Sequence, residues 1–282
     1  MQCIKFIVTI CLSFFLLVGD LCFAEEGPVT GILGALTEEI MLLEGQVTNA
    51  REQYIEGIQF ISGEIKGRQI VLARTGAGKV NAAMVTTLLI EHFKPSEVIF
   101  TGIAGGINPD LLPGDIVIAA KTAQHDLGSI TTDGLQNWGV RNPITGERNP
   151  VFFAADARLL TLAETANKKV QFEKIETSGI SRLPKVIRGI IVTGDVFVSS
   201  SPKKIELRES FQADAVEMEG AAIAQICWQQ GVSCLIVRSL SDTSDEDAEQ
   251  DYREFYKIAA RNSAKLVTHL VQQLAAEQSP EK

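Results

Sequence analysis

Histidine, cysteine and aromatic residues are scarce in this chain. The 282 residues include three histidines, five cysteines and only 6% aromatic residues. His92, His125 and His269 are too far apart in sequence to indicate a zinc site. Three of the cysteines lie within the first 24 residues, which leaves Cys227 and Cys234. We interpret these two as small buried side chains, with a disulfide between them as the alternative.

The chain also lacks an excess of positive charge. It has 26 Lys and Arg residues against 35 Asp and Glu residues, which gives a formal net charge of −9. Such a balance argues against nucleic acid or an anionic membrane surface as a partner. The hydrophobic content of 45% with 22% charged residues is typical of a folded globular protein and excludes general disorder.

The N-terminus has the pattern of a secretory signal peptide. Lys5 precedes an apolar run from Phe6 to Val18, and Ala24 stands before an acidic pair. The run is shorter than the about 20 apolar residues that span a membrane. We therefore predict a signal peptide at 1–24, a single domain at 25–282, and a secreted or periplasmic product without stable membrane insertion. An uncleaved N-terminal anchor is the alternative.

Beyond the leader, short apolar runs alternate with helical patterns, which predicts an α/β fold around a largely buried sheet. No internal repeat or interdomain linker interrupts this order, so we expect one domain. The segment 133–150 has no hydrophobic period, and we interpret it as a long surface loop or lid. The predicted strands are 29–36, 58–65, 68–74, 97–102, 116–120, 189–193 and 234–238. The predicted helices are 37–43, 80–93, 154–168, 218–230 and 251–277.

A glycine-rich stretch, Thr75 to Lys79, invites comparison with phosphate-binding loops. The P-loop pattern requires Gly and Ser or Thr where this sequence has Ala73 and Val80. The dinucleotide-binding pattern requires a small residue where Asn81 stands. Both nucleotide-binding motifs are therefore excluded, and the glycines are interpreted as a tight turn between a strand and a helix. A second glycine-rich strand end, Gly102 to Gly106, lets backbone amides approach a ligand.

Acidic residues stand at the ends of three separate predicted strands: Glu39, the pair Glu217 and Glu219, and Asp242. Ligands in α/β sheets bind beyond the carboxyl ends of strands, so these four acids are expected to converge on one polar pocket. Each has a structural alternative, since Glu39 suits the first turn of a helix and Asp242 suits a cap. Within the apolar context of 215–224, however, carboxylates are buried and need partners.

The chain resembles a known family, the methylthioadenosine/S-adenosylhomocysteine nucleosidases of the nucleoside phosphorylase superfamily. The resemblance runs from about Val29 to Leu274 and rests on the order and spacing of eight blocks. These blocks are Gly34–Glu39, Thr75–Ala83, Thr101–Gly106, Gly114–Val117, His125–Asp126, Thr193–Val198, Val216–Glu219 and Arg238–Asp242. The resemblance implies a single-domain, three-layer phosphorylase/hydrolase-like fold, with a central twisted mixed sheet flanked by helices.

The resemblance also implies roles in the cleavage of a purine nucleoside to adenine and a free ribose derivative. Asp242 would be the general acid that protonates N7 of the purine, and Ser241 would orient it. Glu39 would hold and deprotonate the attacking water, with Arg238 nearby. No metal or organic cofactor is implied, and the expected partners are a small purine nucleoside and a second copy of the chain in a homodimer.

The remaining implied roles concern substrate binding. They fall to Gly105 for close main-chain approach, Phe197 for stacking on the purine, Val198 for the base edge, Met218 for packing on the sugar, Glu219 for the 2′ and 3′ hydroxyls, and Glu217 for ordering that pocket. Candidate substrates are 5′-methylthioadenosine, S-adenosylhomocysteine, 5′-deoxyadenosine and adenosine-like nucleosides.

Two other activities remain open at the level of sequence. A phosphate-dependent phosphorylase would need cations beside the sugar, but the first turn carries Glu38 and Glu39, and 101–107 contains no Arg or Lys. These features favour hydrolysis. A catalytically silent binding or storage protein of the same fold is the second alternative. It is suggested by Ile103, which stands where the nucleosidases usually have a serine near the water site.

Overall fold

The computed structural model describes residues 27–177 and 180–278 of the chain. The predicted signal peptide at 1–24 lies outside these residues. The predicted α/β fold is confirmed, and the described residues form a single domain. No helix in the described part of the chain is long and apolar enough to cross a membrane.

Fourteen strands and six helices alternate along the described residues. The strands are β1 Thr30–Gly34, β2 Thr48–Ile55, β3 Ile58–Ile65, β4 Arg68–Arg74, β5 Glu97–Gly106, β6 Ile116–Gln124, β7 Gly128–Thr131, β8 Gly134–Asn137, β9 Phe152–Ala154, β10 Ile175–Thr177, β11 Ile180–Arg182, β12 Val186–Thr193, β13 Ala215–Glu217 and β14 Ser233–Asp242. The helices are α1 Thr37–Glu44, α2 Lys79–Phe93, α3 Ala157–Asn167, α4 Ser201–Phe211, α5 Gly220–Gln230 and α6 Ala248–Gln278.

A ten-stranded mixed sheet forms the centre of the molecule, with the order β13-β12-β6-β14-β5-β1-β4-β3-β2 and β9 paired to β6. The central strand β5 runs parallel to β1 and β14, whereas β14 runs antiparallel to β6. The short strand β13 pairs with β12 on one side and with β5 on the other. The sheet therefore curls until five strands close into a ring, which brings the ends of β5, β13 and β14 together.

Helices cover both faces of the sheet. One apolar cluster joins the sheet to α2 and α5, through residues such as Val85 and Ile223. A second cluster joins the opposite face to α1, α3 and α6, through residues such as Leu43 and Leu270. The central strand β5 is covered on both faces and reads as a continuous apolar run for that reason. This three-layer arrangement is the one that the sequence resemblance implied.

The segment 133–150 is only partly the irregular loop that we predicted. Its first residues belong to the hairpin of β7 and β8, and a bridge joins Arg141 to Arg148 further along. Trp138 anchors this excursion, because its Nε1 atom donates to Ser129 Oγ at 2.8 Å and Arg148 lies over its ring. Both strands are only four residues long and contain no buried residue, so they leave no hydrophobic period in the sequence.

Further differences from the sequence prediction include the helix α4 and the strands β9, β10, β11 and β13, none of which was predicted. Strand β2 was not predicted, because seven of its eight residues are exposed and polar residues dominate it. Strand β5 continues to Gly106, beyond its predicted end at 102, because it gains β13 as a further partner there. Helix α3 begins at Ala157, where Asp156 caps it by accepting from the backbone N–H of Leu159.

The glycine turn and the cysteines follow the simpler interpretations. Gly76 and Gly78 have φ angles of 72° and 95°, in the region that favours glycine, so they do form the turn into α2. Cys227 and Cys234 are both buried and are free thiols in this structure. Contact with Cys234, and then burial, raise the pKa of the Cys227 thiol well above its ordinary value.

Candidate active site

One cavity of about 480 Å³ opens where β5, β13 and β14 end, between the starts of α1 and α6. Its position agrees with the rule that ligands bind beyond the carboxyl ends of strands. Four acids predicted from three strand ends, Glu39, Glu217, Glu219 and Asp242, all line it. The other lining residues are Ala35, Leu36, Ala77, Ile103, Ala104, Gly105, Phe197, Val216, Met218, Ser241, Glu249, Tyr252 and Arg253.

Glu39 is held in place by three backbone N–H groups. It lies in the first turn of α1, where its Oε2 atom accepts from Ala35 at 2.5 Å and from Leu36 at 2.8 Å. Its Oε1 atom accepts from the N–H of Ile103 on β5 at 3.0 Å. Burial nevertheless raises the pKa of Glu39, against the opposing charge of Arg238. A fixed carboxylate with a raised pKa is suited to accept a proton near neutral pH.

Arg238 is fully buried and forms the electrostatic centre of the site. Its Nη2 atom lies 2.5 Å from Glu217 Oε2 and 3.2 Å from Glu219 Oε2, and its Nη1 atom lies 3.7 Å from Glu39 Oε1. The guanidinium stacks on the ring of Phe100 at 3.7 Å. One cation thus orders three carboxylates, which a buried cluster of acids requires.

Glu217 and Glu219 have different environments, although only one residue separates them. Glu217 ends β13 and accepts from the N–H groups of Glu219 and Gly220, at the N-terminus of α5, and from the hydroxyl of Thr193. Glu219 Oε1 accepts from the N–H of Gly78 at 2.8 Å. Burial, and then the charge of Glu217, raise the pKa of Glu219 to about 8. Both carboxylates line the cavity, but Glu217 is held by more hydrogen-bond partners than Glu219.

Asp242 lines the cavity from the end of β14. Its Oδ1 atom accepts from the N–H of Ser244 at 2.9 Å, and its Oδ2 atom lies 2.7 Å from the Ser241 hydroxyl. Burial raises the pKa of Asp242, which favours the protonated form. A Cβ at residue 105 would lie 2.8 Å from Asp242 Oδ1, so the glycine at 105 is what lets this carboxyl approach β5.

Aromatic and apolar residues form the remaining wall. Phe197 and Met218 line the main cavity, whereas Val198 lines a smaller recess of about 30 Å³ beside it, together with Gly105 and Asp242. Phe197 and Tyr252 form an edge-to-face pair with a centroid distance of 6.1 Å. The structure therefore places all ten predicted site residues in or against one site, although Arg238 supports the wall from behind and Val198 lies in the recess.

Sequence reasoning missed several residues of the site. Tyr252, Glu249 and Arg253 reach the cavity from the first turns of α6, and the N–H of Gly78 arrives from the glycine turn. Phe100 supports Arg238 from within β5. The amphipathic pattern of α6 does not indicate that its first turns line a cavity, because the packing of the helix decides which of its residues face the cavity. The glycines at 76 and 78 were interpreted only as a tight turn, so the hydrogen bond from the Gly78 N–H to Glu219 was not predicted.

Comparisons of this chain with known proteins agree with this geometry. The family model of the Phosphorylase superfamily matches residues 29–272, so the chain belongs to that superfamily. A 5′-methylthioadenosine/S-adenosylhomocysteine nucleosidase from Marinomonas sp. (strain MWYL1) is 36% identical over 244 residues, which cover 86% of this chain and 98% of the relative. The chain therefore belongs to the methylthioadenosine/S-adenosylhomocysteine nucleosidase family.

Two enzymes of known structure have the same fold as this chain. The 5′-methylthioadenosine/S-adenosylhomocysteine nucleosidase from Neisseria meningitidis, in complex with methylthio-immucillin-A, is 38% identical, with a TM-score of 0.74. That comparison covers 87% of this chain and 99% of the other. The futalosine hydrolase of Helicobacter pylori is 32% identical, with the same TM-score of 0.74 and coverage of 87% and 98%. The likeness thus extends to enzymes whose names give different nucleoside substrates.

Proposed function

We propose that this chain hydrolyses the N-glycosidic bond of a purine nucleoside and releases adenine and the free ribose derivative. The observation that carries the proposal is the division of one cavity between two carboxyl groups. Asp242 stands on one wall with a raised pKa, and Glu39 stands on another, aligned by three N–H groups. This arrangement matches an acid for the leaving base and a base for the attacking water.

The reaction balances with these two groups. Water attacks C1′ of the ribose while the bond from C1′ to the purine breaks. Glu39 accepts a proton from the water, and Asp242 donates its proton to N7, so the purine leaves neutral. Positive charge that develops on the sugar is stabilised by the surrounding carboxylates in a site shielded from water. Ser241 orients Asp242, and Arg238 keeps Glu39 in register with the attacked face.

The binding roles follow from the same cavity. Glu219 accepts hydrogen bonds from the 2′ and 3′ hydroxyls, and Met218 packs on the sugar. Phe197 stacks on the purine, Gly105 lets the main chain approach it, and the backbone of Val198 contacts its edge in the small recess. Glu217 orders Glu219 through Arg238. No step in this scheme calls for a metal ion or an organic cofactor.

Hydrolysis is favoured over phosphorolysis by the charges that surround the sugar side. Arg238 already pairs with three carboxylates, and Glu39 stands where a phosphate would have to bind. A dianion placed there would meet an anionic wall at short range, whereas water would not. A phosphorylase is therefore the second candidate, and the silent binding protein is the third.

Methylthioadenosine, S-adenosylhomocysteine, 5′-deoxyadenosine and adenosine-like nucleosides are the proposed substrates. The names of the relatives support the first two, and the likeness to a futalosine hydrolase indicates that this fold accepts more than one 5′ substituent. We also propose a homodimer and export by a cleaved signal peptide. The homodimer is supported by two exposed apolar side chains on α2 beside the site, Val80 and Met84. The apolar run at Phe6–Val18 supports export.

The proposal is tested by following free base from adenosine, methylthioadenosine and inosine, each with and without inorganic phosphate. Release of adenine at equal rates in both conditions supports hydrolysis. Strict dependence on phosphate identifies a phosphorylase, and binding without release identifies a storage protein. The mass of the exported chain, measured intact, tests cleavage after Ala24, and sedimentation analysis tests the dimer.

A further inference from the structure

Three charged residues within the sequence blocks that indicate the family have no part in the proposed reaction. They are Lys79 at the start of α2, Asp126 after β6 and Asp195 after β12. We call these three residues the charged cluster, because their side chains meet although they come from three distant parts of the chain. None of them lines the cavity, so any effect on the reaction must act through neighbouring residues.

Three hydrogen bonds join the charged cluster in a closed circuit. Asp195 Oδ1 accepts from the backbone N–H of Lys79 at 2.8 Å, and the N–H of Asp195 donates to Asp126 Oδ2 at 2.9 Å. The Lys79 ammonium completes the circuit by donating to Asp126 Oδ1 at 2.6 Å. Burial would raise the pKa of Asp126, but the hydrogen bonds from Lys79 and from the Asp195 N–H hold it below its ordinary value. Asp126 is therefore ionised at neutral pH and pairs with the ammonium.

The charged cluster fixes the glycine turn. The N-cap residue of α2 is Gly78, which has no side chain to cap the helix, so Asp195 satisfies the first helical N–H from a distant part of the chain. The packing there is tight, since a Cβ at residue 78 would lie 3.2 Å from Asp195 Oδ1. The N–H of Gly78 in turn donates to Glu219 Oε1 at 2.8 Å. The position of Asp195 thus determines where the turn holds Glu219.

The charged cluster also holds the loop that carries Phe197. Within 27–177 and 180–278, the backbone of 195–199 makes a single hydrogen bond, and this is the bond from the Asp195 N–H to Asp126. Phe197 lines the cavity two residues further along the chain. One polar contact therefore ties this wall of the cavity to the end of β6.

We propose that the charged cluster consists of positioning residues that set the purine wall at Phe197 relative to the ribose wall at Glu219. The inference rests on the proposed function, which assigns Phe197 to the purine and Glu219 to the 2′ and 3′ hydroxyls. Glu39 and Asp242, which carry the proton transfers, are held by other partners. Loss of the cluster should weaken binding of the ground state and the transition state alike, which raises KM and leaves kcat nearly unchanged.

Replacement of Asp195 tests this role in two ways. Asp195→Ala removes the acceptor for the Lys79 N–H, whereas Asp195→Asn keeps an amide oxygen in its place. We expect Asp195→Ala to raise KM for methylthioadenosine by about three- to thirtyfold, the ratio that corresponds to the loss of a helix cap. The value of kcat should change less than about twofold, and Asp195→Asn should restore KM to within about twofold of wild type.

Asp156→Ala is the matched control for a general loss of stability. Asp156 caps α3 by accepting from the N–H of Leu159 at 2.9 Å, and it does not line the cavity. Asp156→Ala should lower the unfolding temperature as Asp195→Ala does but leave KM unchanged. An unchanged KM in Asp195→Ala, an equal rise in Asp195→Asn, or an equal rise in Asp156→Ala would each overturn the positioning role.

Equilibrium binding separates this role from the proposed reaction. In an Asp242→Asn background, Asp195→Ala should raise the dissociation constant for methylthioadenosine by the same factor as KM, and Asp195→Asn should not. If the wild-type chain binds the nucleoside but releases no base, the proposed function fails, and these affinities still decide the role of the charged cluster. A chain that does not bind the nucleoside would overturn both.

Discussion

Gly102 on β5 lies directly against the guanidinium of Arg238, so close that a Cβ atom at this position would overlap with Arg238 Nη1 and Glu39 Oε1. Both neighbours are buried, and each is held by other partners: Glu39 by three backbone N–H groups and Arg238 by Glu217 and Glu219. The absence of a side chain at Gly102 therefore permits the close approach of the Arg238 guanidinium and the Glu39 carboxylate.

Gly102→Ala should consequently displace Glu39 or Arg238 by about an ångström. A misplacement of that size can lower catalysis by about 10²-fold, so we expect a loss of this order in kcat/KM. Gly45→Ala is the control, because a Cβ there would meet only ordinary contacts of 3.6 Å and beyond. Activity of Gly102→Ala within a few-fold of wild type would contradict the assignment of Glu39 and Arg238 to the reaction.

Asp242→Asn should abolish release of adenine while binding of the nucleoside persists. Asparagine keeps the shape and the acceptor for the Ser244 N–H but cannot deliver a proton to the purine. General acid catalysis is worth about 10²–10⁴-fold, so a loss within or beyond that range is expected. The measurement is single-turnover release of base together with calorimetric binding of methylthioadenosine. Full activity in this variant would show that another group protonates the base.

Arg238→Met should destabilise the fold by about 3–5 kcal/mol at neutral pH, since three buried carboxylates lose their common cation. The loss should shrink towards pH 5, where protonation can neutralise these acids. Arg253→Met is the control: that residue is about three-quarters exposed, and its ion pair with Glu249 should contribute less than about 1 kcal/mol. Denaturant unfolding at both pH values measures the difference. A small, pH-independent effect of Arg238→Met would contradict the role of Arg238 as the electrostatic centre.

Glu219 should make the fold less stable as the pH rises. Its pKa of about 8 lies above the ordinary 4.5, so between these values the folded state binds the proton more tightly than the unfolded state. The stability that this proton contributes is present below about pH 4.5 and is lost as the pH approaches 8.

Glu219→Gln removes this titration. Relative to wild type, the variant should gain stability between pH 5 and pH 8, on the order of a few kcal/mol. The check is the difference in unfolding free energy across that range, with the surface change Glu206→Gln as a control that should show no trend. If the gain in unfolding free energy of the variant over wild type stays constant or falls as the pH rises, the raised pKa belongs to another group.

The sequence by itself determined the α/β class, the single domain and the acids of the site. Continuous apolar runs identify strands buried on both faces, which is why β5 and β14 could be recognised without a partner strand. Glu39, Glu219 and Asp242 stood out because they stand at strand ends, and the apolar context of 215–224 makes carboxylates there costly unless they have partners. The order of the blocks then indicated the family.

Only the tertiary structure decided how those acids share a cation and what faces them. The pairing of β13 with β5 closes the sheet, and this long-range contact brings Arg238 within reach of Glu39, Glu217 and Glu219. The position of Tyr252 likewise follows from the packing of α6 rather than from any local pattern. Periodicity reports which face of an element is buried, but not which neighbour covers it, and the chemistry of this site depends on the neighbours.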